Sequence, residues 1–322
     1  MNRRKFIASV PLLATPAVVQ AQPAWPARPV RVVIPFTPGG ASDLMMRPIA
    51  ERLERMLGQS FVIDNRAGGG GAVGLGAAAS AAPDGYTLLL TTPGPLVLLP
   101  QMQANLPYDA ARSFTYIALM GGAPIVCAVA ANAPARDLAG YAELAKRSPD
   151  SVSFGSSGVG SMGHLTGVLF GMESGSQLLH APFRGAPEAQ TAVLSGSTTS
   201  LWDTAAANVA AIRAGNLRGL CVSSAQRAAI LPDVPTAREA GFSNVVSLNW
   251  FLLSAPAGTP ADRIARLQQA VKAAVDDPAT AAPFVALGTT LVGGTPEDLG
   301  ALLRSEFAKW GEVVREAKIT LD

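Results

Sequence analysis

Val32-Val33-Ile34-Pro35-Phe36-Thr37-Pro38-Gly39-Gly40-Ala41-Ser42-Asp43 is an apolar run that stops at small residues and leads into a helix-like pattern. A second stretch, Val152-Ser153-Phe154-Gly155-Ser156-Ser157-Gly158-Val159-Gly160-Ser161-Met162-Gly163-His164, has the same shape. Each reads as a strand, a glycine-rich turn and the start of a helix. N–H groups in the first turn of a helix lack an intrahelical acceptor, and the helix dipole adds partial positive charge there. Such a turn binds an anion without any Lys or Arg. Two of them would grip the two ends of a small anionic ligand if the fold sets them face to face. The bland alternative for the first is a strand-to-helix turn that needs glycine for its backbone angles.

Working outward, strand and helix patterns alternate along the chain, which argues an α/β fold with largely parallel sheets. Strands are expected at 30–36, 61–63, 87–91, 116–119, 125–130, 178–182, 200–202, 217–222 and 246–254. The first helix is expected to start at an N-cap Ser42, to place Met45, Ile49, Leu53 and Met56 on one face, and to end at Gly58. Pro48 lies inside it and is expected to kink it. Further helices are expected at 138–147, 187–194, 209–214, 260–275 and 296–317.

The N-terminus stands apart. Arg3, Arg4 and Lys5 precede an apolar stretch from Phe6 to Val19, and Val19-Gln20-Ala21 fits a small-x-small cleavage site. This is the pattern of a secretory signal over residues 1–21, and it implies a periplasmic protein in a cell with two membranes. Asn2-Arg3-Arg4-Lys5-Phe6-Ile7 is also similar to a twin-arginine signal, so both export routes stay open. Without the signal, 22 basic residues stand against 23 acidic ones. That balance gives no basic face for nucleic acid. Cys127 and Cys221 both sit in apolar runs, and either pair in an oxidising compartment or act as separate buried thiols. With His164 and His180 the only histidines, no metal-ligand spacing is present and no cofactor is called for.

Catalytic readings are thin. Gly155-Ser156-Ser157-Gly158 lacks the spacing of a nucleophile elbow. A secreted serine hydrolase would have to pair Ser156 or Ser157 with His164. Gly69–Gly74 and Gly158–Gly163 both match G-x-G-x-x-G, but neither has the acidic residue that a dinucleotide site needs. Asp203, at a strand end, either accepts from a ligand amine or hydroxyl or caps the next helix. Arg184 either meets a carboxylate bidentately or is a solvated surface group.

Ordered along the chain, Ile34-Pro35-Phe36 with Gly39-Gly40-x-x-Asp43, Asp64-Asn65-Arg66, Pro83-Asp84-Gly85-Tyr86-Thr87, Leu106-Pro107-Tyr108-Asp109, Gly158-x-Gly160-Ser161-x-x-His164-Leu165, Pro182-Phe183-Arg184-Gly185, Leu231-Pro232-Asp233-Val234-Pro235-Thr236 and Ala255-Pro256-Ala257-Gly258-Thr259-Pro260 resemble the Bug-type substrate-binding proteins of tripartite tricarboxylate transporters. The resemblance implies a two-lobed periplasmic-binding-protein fold of type II, each lobe a mixed, mostly parallel sheet flanked by helices. It implies capture of a small organic carboxylate, a dicarboxylate or aromatic acid, between the lobes, and delivery to membrane subunits by a monomeric, non-enzymatic protein. A ligand sensor for a signalling system is the variant role. Carried over, the binding positions are Phe36, Thr37, Gly39, Gly40 and Asp43 from one lobe and Ser156, Gly158, Gly160, Ser161 and His164 from the other, with Thr91, Thr92 and Asp203 lining the cleft. Crossings near Gly121-Gly122 and 223–226 would make residues 22–122 plus 226–322 one lobe and 123–225 the other. The segment 93–100 departs from the family's usual His and Asn-Pro-x-Leu-Tyr, Phe183 stands for a Tyr, and the apolar 96–99 run suggests a bulkier or more aromatic ligand.

Overall fold

A computed structural model of the protein describes residues 25–149, 151–286, 288, 290–294 and 296–321. The expected signal segment and its cleavage site lie outside the described residues. Strand β1 (Val30–Ile34) pairs in parallel with β2 (Phe61–Asn65) and with β3 (Thr87–Thr91). Helix α1 (Ala41–Leu57) connects β1 to β2, and α2 (Ala72–Ala79) lies between β2 and β3. Met45, Ile49 and Leu53 are buried as their spacing requires, with Met46 and Ala50 beside them, while Met56 turns outward and is exposed. The helix runs on through Pro48 and ends at Gly58, which is left-handed at φ 75°. Its N-cap is Gly40 rather than Ser42, and Gly40 has no side chain to offer the helix.

A π-helical turn (Gly94–Leu98) and α3 (Leu99–Met102) follow. Strand β4 (Phe114–Ala130) is then 17 residues long. The sequence suggested two strands here, at 116–119 and 125–130, with a crossing near Gly121-Gly122 between them. The backbone instead stays extended through the glycines, with register irregularities on the Leu119–Gly121 side. Its first part pairs antiparallel with β9 (Leu248–Pro256) and β10 (Thr290–Gly294), and its second part with β7 (Ser200–Thr204) and β8 (Leu217–Val222). Between them lie α4 (Leu138–Arg147), β5 (Ser153–Ser156), α5 (Met162–Ser174), β6 (Leu179–Pro182), α6 (Ala186–Leu194), β7 (Ser200–Thr204), α7 (Ala205–Arg213) and β8 (Leu217–Val222). The chain closes with β9 (Leu248–Pro256), α8 (Ala261–Asp276), α9 (Pro278–Ala286), β10 (Thr290–Gly294) and α10 (Pro296–Glu316). The sheet is therefore mixed. Its wings, β2-β1-β3 and β7-β5-β6, are parallel as expected, and its centre around β4 and β9 is antiparallel.

Ser223 ties the crossing segments together. Its N–H donates to Ile125 O at 2.8 Å, its hydroxyl donates to Ser247 O at 2.8 Å, and the Ile125 N–H donates to Ser223 Oγ at 2.9 Å. Cys127 and Cys221 are register partners on β4 and β8, both buried and both free thiols. Burial pushes the Cys221 thiol up to about 12 and Cys127 well above its ordinary value. Of the two readings left open, the structure therefore has the buried thiols.

Helix α5 meets β7 with backbone against backbone. A methyl group at Gly163 would overlap the carbonyl oxygen of Trp202. Gly163→Ala is expected to destabilise the protein by about 1–3 kcal/mol in urea titration, the overlap outweighing the roughly 1 kcal/mol that Ala gains over Gly in a helix. A variant as stable as the parent would show that α5 is free to move away from the sheet.

Candidate functional site

The first glycine loop is held in shape from behind. Gly39 has φ 81°, and its N–H donates to Asp43 Oδ2 at 3.0 Å. The Asp43 carboxylate also takes two hydrogen bonds from Arg47, each at 2.9 Å. Asn65 Nδ2 donates to Phe36 O at 3.0 Å. Asp43 thus braces the turn. Because Gly40 supplies no capping side chain, the N–H groups of Ala41 and Ser42 have no protein acceptor among the described residues. The Thr37 hydroxyl is buried and likewise unpartnered.

The second loop is braced by its own side chains. Ser156 Oγ lies 2.7 Å from His180 Nε2 and 3.2 Å from Ser161 Oγ. Ser161 caps α5 by accepting from the His164 N–H at 3.2 Å. His164 Nδ1 accepts the Gly160 N–H at 3.2 Å, which leaves its ring proton on Nε2. The Ser157 hydroxyl donates to the Asp203 carboxylate, which also accepts the Thr204 N–H at 2.7 Å. Burial raises the Asp203 pKa above the ordinary carboxylate value, and these hydrogen bonds oppose the shift. Neither Ser156 nor Ser157 pairs with His164. Ser156 is fully buried against His180, so the hydrolase arrangement expected as an alternative is not formed.

Between the loops is a small inner cavity of about 30 Å³. Four helix N-termini reach it: α1 through Gly40, Ala41 and Ser42, α5 through Ser161 and Met162, α6 through Ala186, and α7 through Thr204. Three of them, α1, α6 and α7, carry no side-chain cap. Among the described residues no Lys or Arg lines this space, and the one charged side chain in its lining is Asp203. Of the expected positions, Phe36, Gly40, Thr92, Ser161 and Asp203 line the inner cavity, and Gly158 lines a larger outer one beside it. Thr37 faces Gly185 on the opposing side. Gly39, Asp43, Ser156, Gly160 and His164 stand behind the loops and shape them. Thr91 is buried in β3, its hydroxyl 3.4 Å from Thr92 O. Ala186, Thr204 and Asn249 were not foreseen as lining residues. The Pro187 that opens α6 was a readable helix-start signal for the first of these.

The match to known proteins follows this geometry. The sequence model of the TctC family, described as tripartite tricarboxylate transporter family receptor, matches residues 45–319. The chain belongs to this family. Protein BugT of Bordetella pertussis is 32% identical over 320 residues, covering 98% of this chain and 98% of BugT. Among solved structures, the periplasmic binding protein BugD superposes with a TM-score of 0.88 at 30% identity, over 92% of this chain and 99% of BugD. An R. palustris protein solved with adipate gives 0.89 at 32%, over 92% of this chain and 99% of that one. The fold is thus the two-lobed periplasmic-binding-protein fold.

In this family member the departing 93–100 segment is largely structural. Leu96, Val97 and Leu98 are buried in the core, and Leu99 alone of the apolar run lines the outer cavity. The two histidines form a stack, with ring centroids 3.9 Å apart and Phe154 4.9 Å from His180. Burial pulls His164 down to about 4; burial, then the neighbouring His164, pulls His180 down to about 3. Both stay neutral in the folded protein and take up protons more readily once unfolded. The stability they hold is complete above pH 6.5 and is lost as the pH falls through 4 and 3. His180→Gln is expected to flatten the decline of the urea midpoint between pH 6.5 and pH 4. An unchanged decline would place the acid sensitivity elsewhere.

Proposed function

We propose that this protein is an exported receptor that captures a small organic carboxylate in the inner cavity and passes it, chemically unchanged, to membrane transporter subunits. The observation that carries the reading is the convergence of four helix N-termini on one cavity that has no basic side chain. Each terminus favours an anion by about 0.3–1 kcal/mol, more where partly buried, and together they favour one compact negative group. The adipate bound to the R. palustris relative supports a carboxylate. In this reading, residues 22–122 plus 226–322 form one lobe and residues 123–225 the other, the chain works as a monomer, and no cofactor takes part. The lobes hinge where β4 passes Gly121-Gly122 and where Ser223 knots the return crossing.

Closure has a steric requirement at the seam between these lobes. A methyl group on Gly94 would lie 2.7 Å from Gly160 O and 3.1 Å from Ser161 Cα, both on the opposite lobe. The Gly94 backbone has no positive φ, so alanine strains nothing in its own lobe. Titration calorimetry is expected to register binding of organic carboxylates such as adipate and none of neutral sugars. Gly94→Ala is expected to weaken that binding at least about tenfold while leaving the melting temperature of the ligand-free protein unchanged or slightly raised. Tight sugar binding without carboxylate binding would overturn the reading. Unimpaired binding by Gly94→Ala would overturn closure at this seam.

A further inference from the structure

Asp203, near the end of β7, is the one carboxylate in the lining of the inner cavity, and only 4% of its surface is exposed. Its acceptor sites are filled from within the protein. Oδ1 takes the Thr204 N–H at 2.7 Å and the Thr204 hydroxyl at 3.1 Å. Oδ2 takes the Ser157 hydroxyl, and the Ser157 N–H also donates to the carboxylate. An ionised carboxylate offers about four acceptor sites and no donor, so Asp203 in that form has nothing to give an incoming anion. In a space of about 30 Å³ the two negative groups would lie side by side. Two carboxylates confined to one buried site do not both stay ionised.

The groups packed around Asp203 leave the extra charge uncompensated. On α1, Asp43 is already paired with Arg47. On α5 and β6, His164 and His180 are neutral, pulled down by burial to about 4 and about 3. On β4, Val126 lies opposite Asp203, and burial keeps the adjacent Cys127 thiol protonated. Glu188 on α6 is exposed to solvent. Helix α7 carries only Arg213, in its last turn, and β9 has no ionisable side chain. Burial also raises the Asp203 pKa above the ordinary carboxylate value before any ligand enters.

We propose that the protein binds its organic anion together with one proton, and that Asp203 is the residue that takes the proton up. The proton comes from solvent and adds to Asp203 Oδ2; no other covalent bond changes. Asp203 then donates to Ser157 Oγ, and the Ser157 hydroxyl, released from the carboxylate, turns its own proton toward the ligand. Ser157 lines both the inner and the outer cavity, so the turned hydroxyl is placed to reach the bound group. The inference rests on the carboxylate reading of the inner cavity.

The test is titration calorimetry with adipate and with benzoate at pH 7, where both acids are ionised, in buffers of low and high ionisation enthalpy. The parent is expected to take up at least about half a proton per ligand, and its affinity to fall at least about threefold from pH 7 to pH 8. Asp203→Asn, whose amide oxygen still accepts from Thr204, is expected to bind without proton uptake and with an affinity that does not change over that range. His164→Gln is expected to keep the uptake. Infrared difference spectra of the parent locate the proton without any variant. A protonated-carboxyl band is expected to appear on binding, and to shift when the protein's aspartates carry carbon-13 but not when the ligand's carboxyl groups do. Binding without proton uptake, uptake that survives Asp203→Asn or is lost in His164→Gln, or a band that shifts with the labelled ligand would overturn the proton linkage at Asp203 and leave the carboxylate reading standing. Failure of the parent to bind either acid would overturn both.

Discussion

Four helices begin at one small cavity, and the rest of the binding architecture is arranged around that convergence. A helix start carries unpaired N–H groups and partial positive charge, and burying several of them together is costly without a negative partner. The protein leaves three of these starts without side-chain caps and keeps basic side chains out of the inner space. The partial positive charge at this cavity therefore comes from the backbone, whose position is set by the fold. Side chains near the cavity mostly brace it. Asp43 with Arg47 holds the first turn, and Ser156, Ser161, His164 and His180 hold the second.

Convergence of helices from distant parts of the chain requires the sheet to run without a gap between them. Strand β4 provides this, pairing with β9 and β10 in its first part and with β7 and β8 in its second. The same strand carries Gly121-Gly122 where its partners change, and Ser223 secures the neighbouring crossing by three hydrogen bonds. A continuous strand and a narrow crossing are what the proposed hinge would need. Close approach at Gly94 and at Gly185 shows how tightly the opposing surfaces meet around the cavity.

Much of this was legible in the linear order of residues. The strand–glycine–helix pattern identified both loops, and Phe36, Gly40, Thr92, Ser161 and Asp203 do line the inner cavity. Helix and strand limits came out close, with the α4 and β3 expectations matching residue for residue. The misses have physical causes. Gly121-Gly122 was expected as a crossing between two strands, but two sets of partner strands hold it extended. Ser42 reads as a cap, but the turn geometry gives that position to Gly40. Asp43 and His164 stand in the motif as expected, and what only the fold shows is that each accepts a loop N–H, from Gly39 and Gly160 respectively.

The family, the α/β class and the two strand–glycine–helix turns were already present in the order of residues, because these depend on local backbone preferences and on residue types at fixed spacing. It took the folded chain to bring α6 and α7 to the same cavity as α1 and α5, to set Ser156 against His180 rather than His164, and to place Cys127 across from Cys221 as a free thiol. Each of these is a meeting of residues far apart in the chain. Strand order and register set such meetings, and no local pattern encodes them.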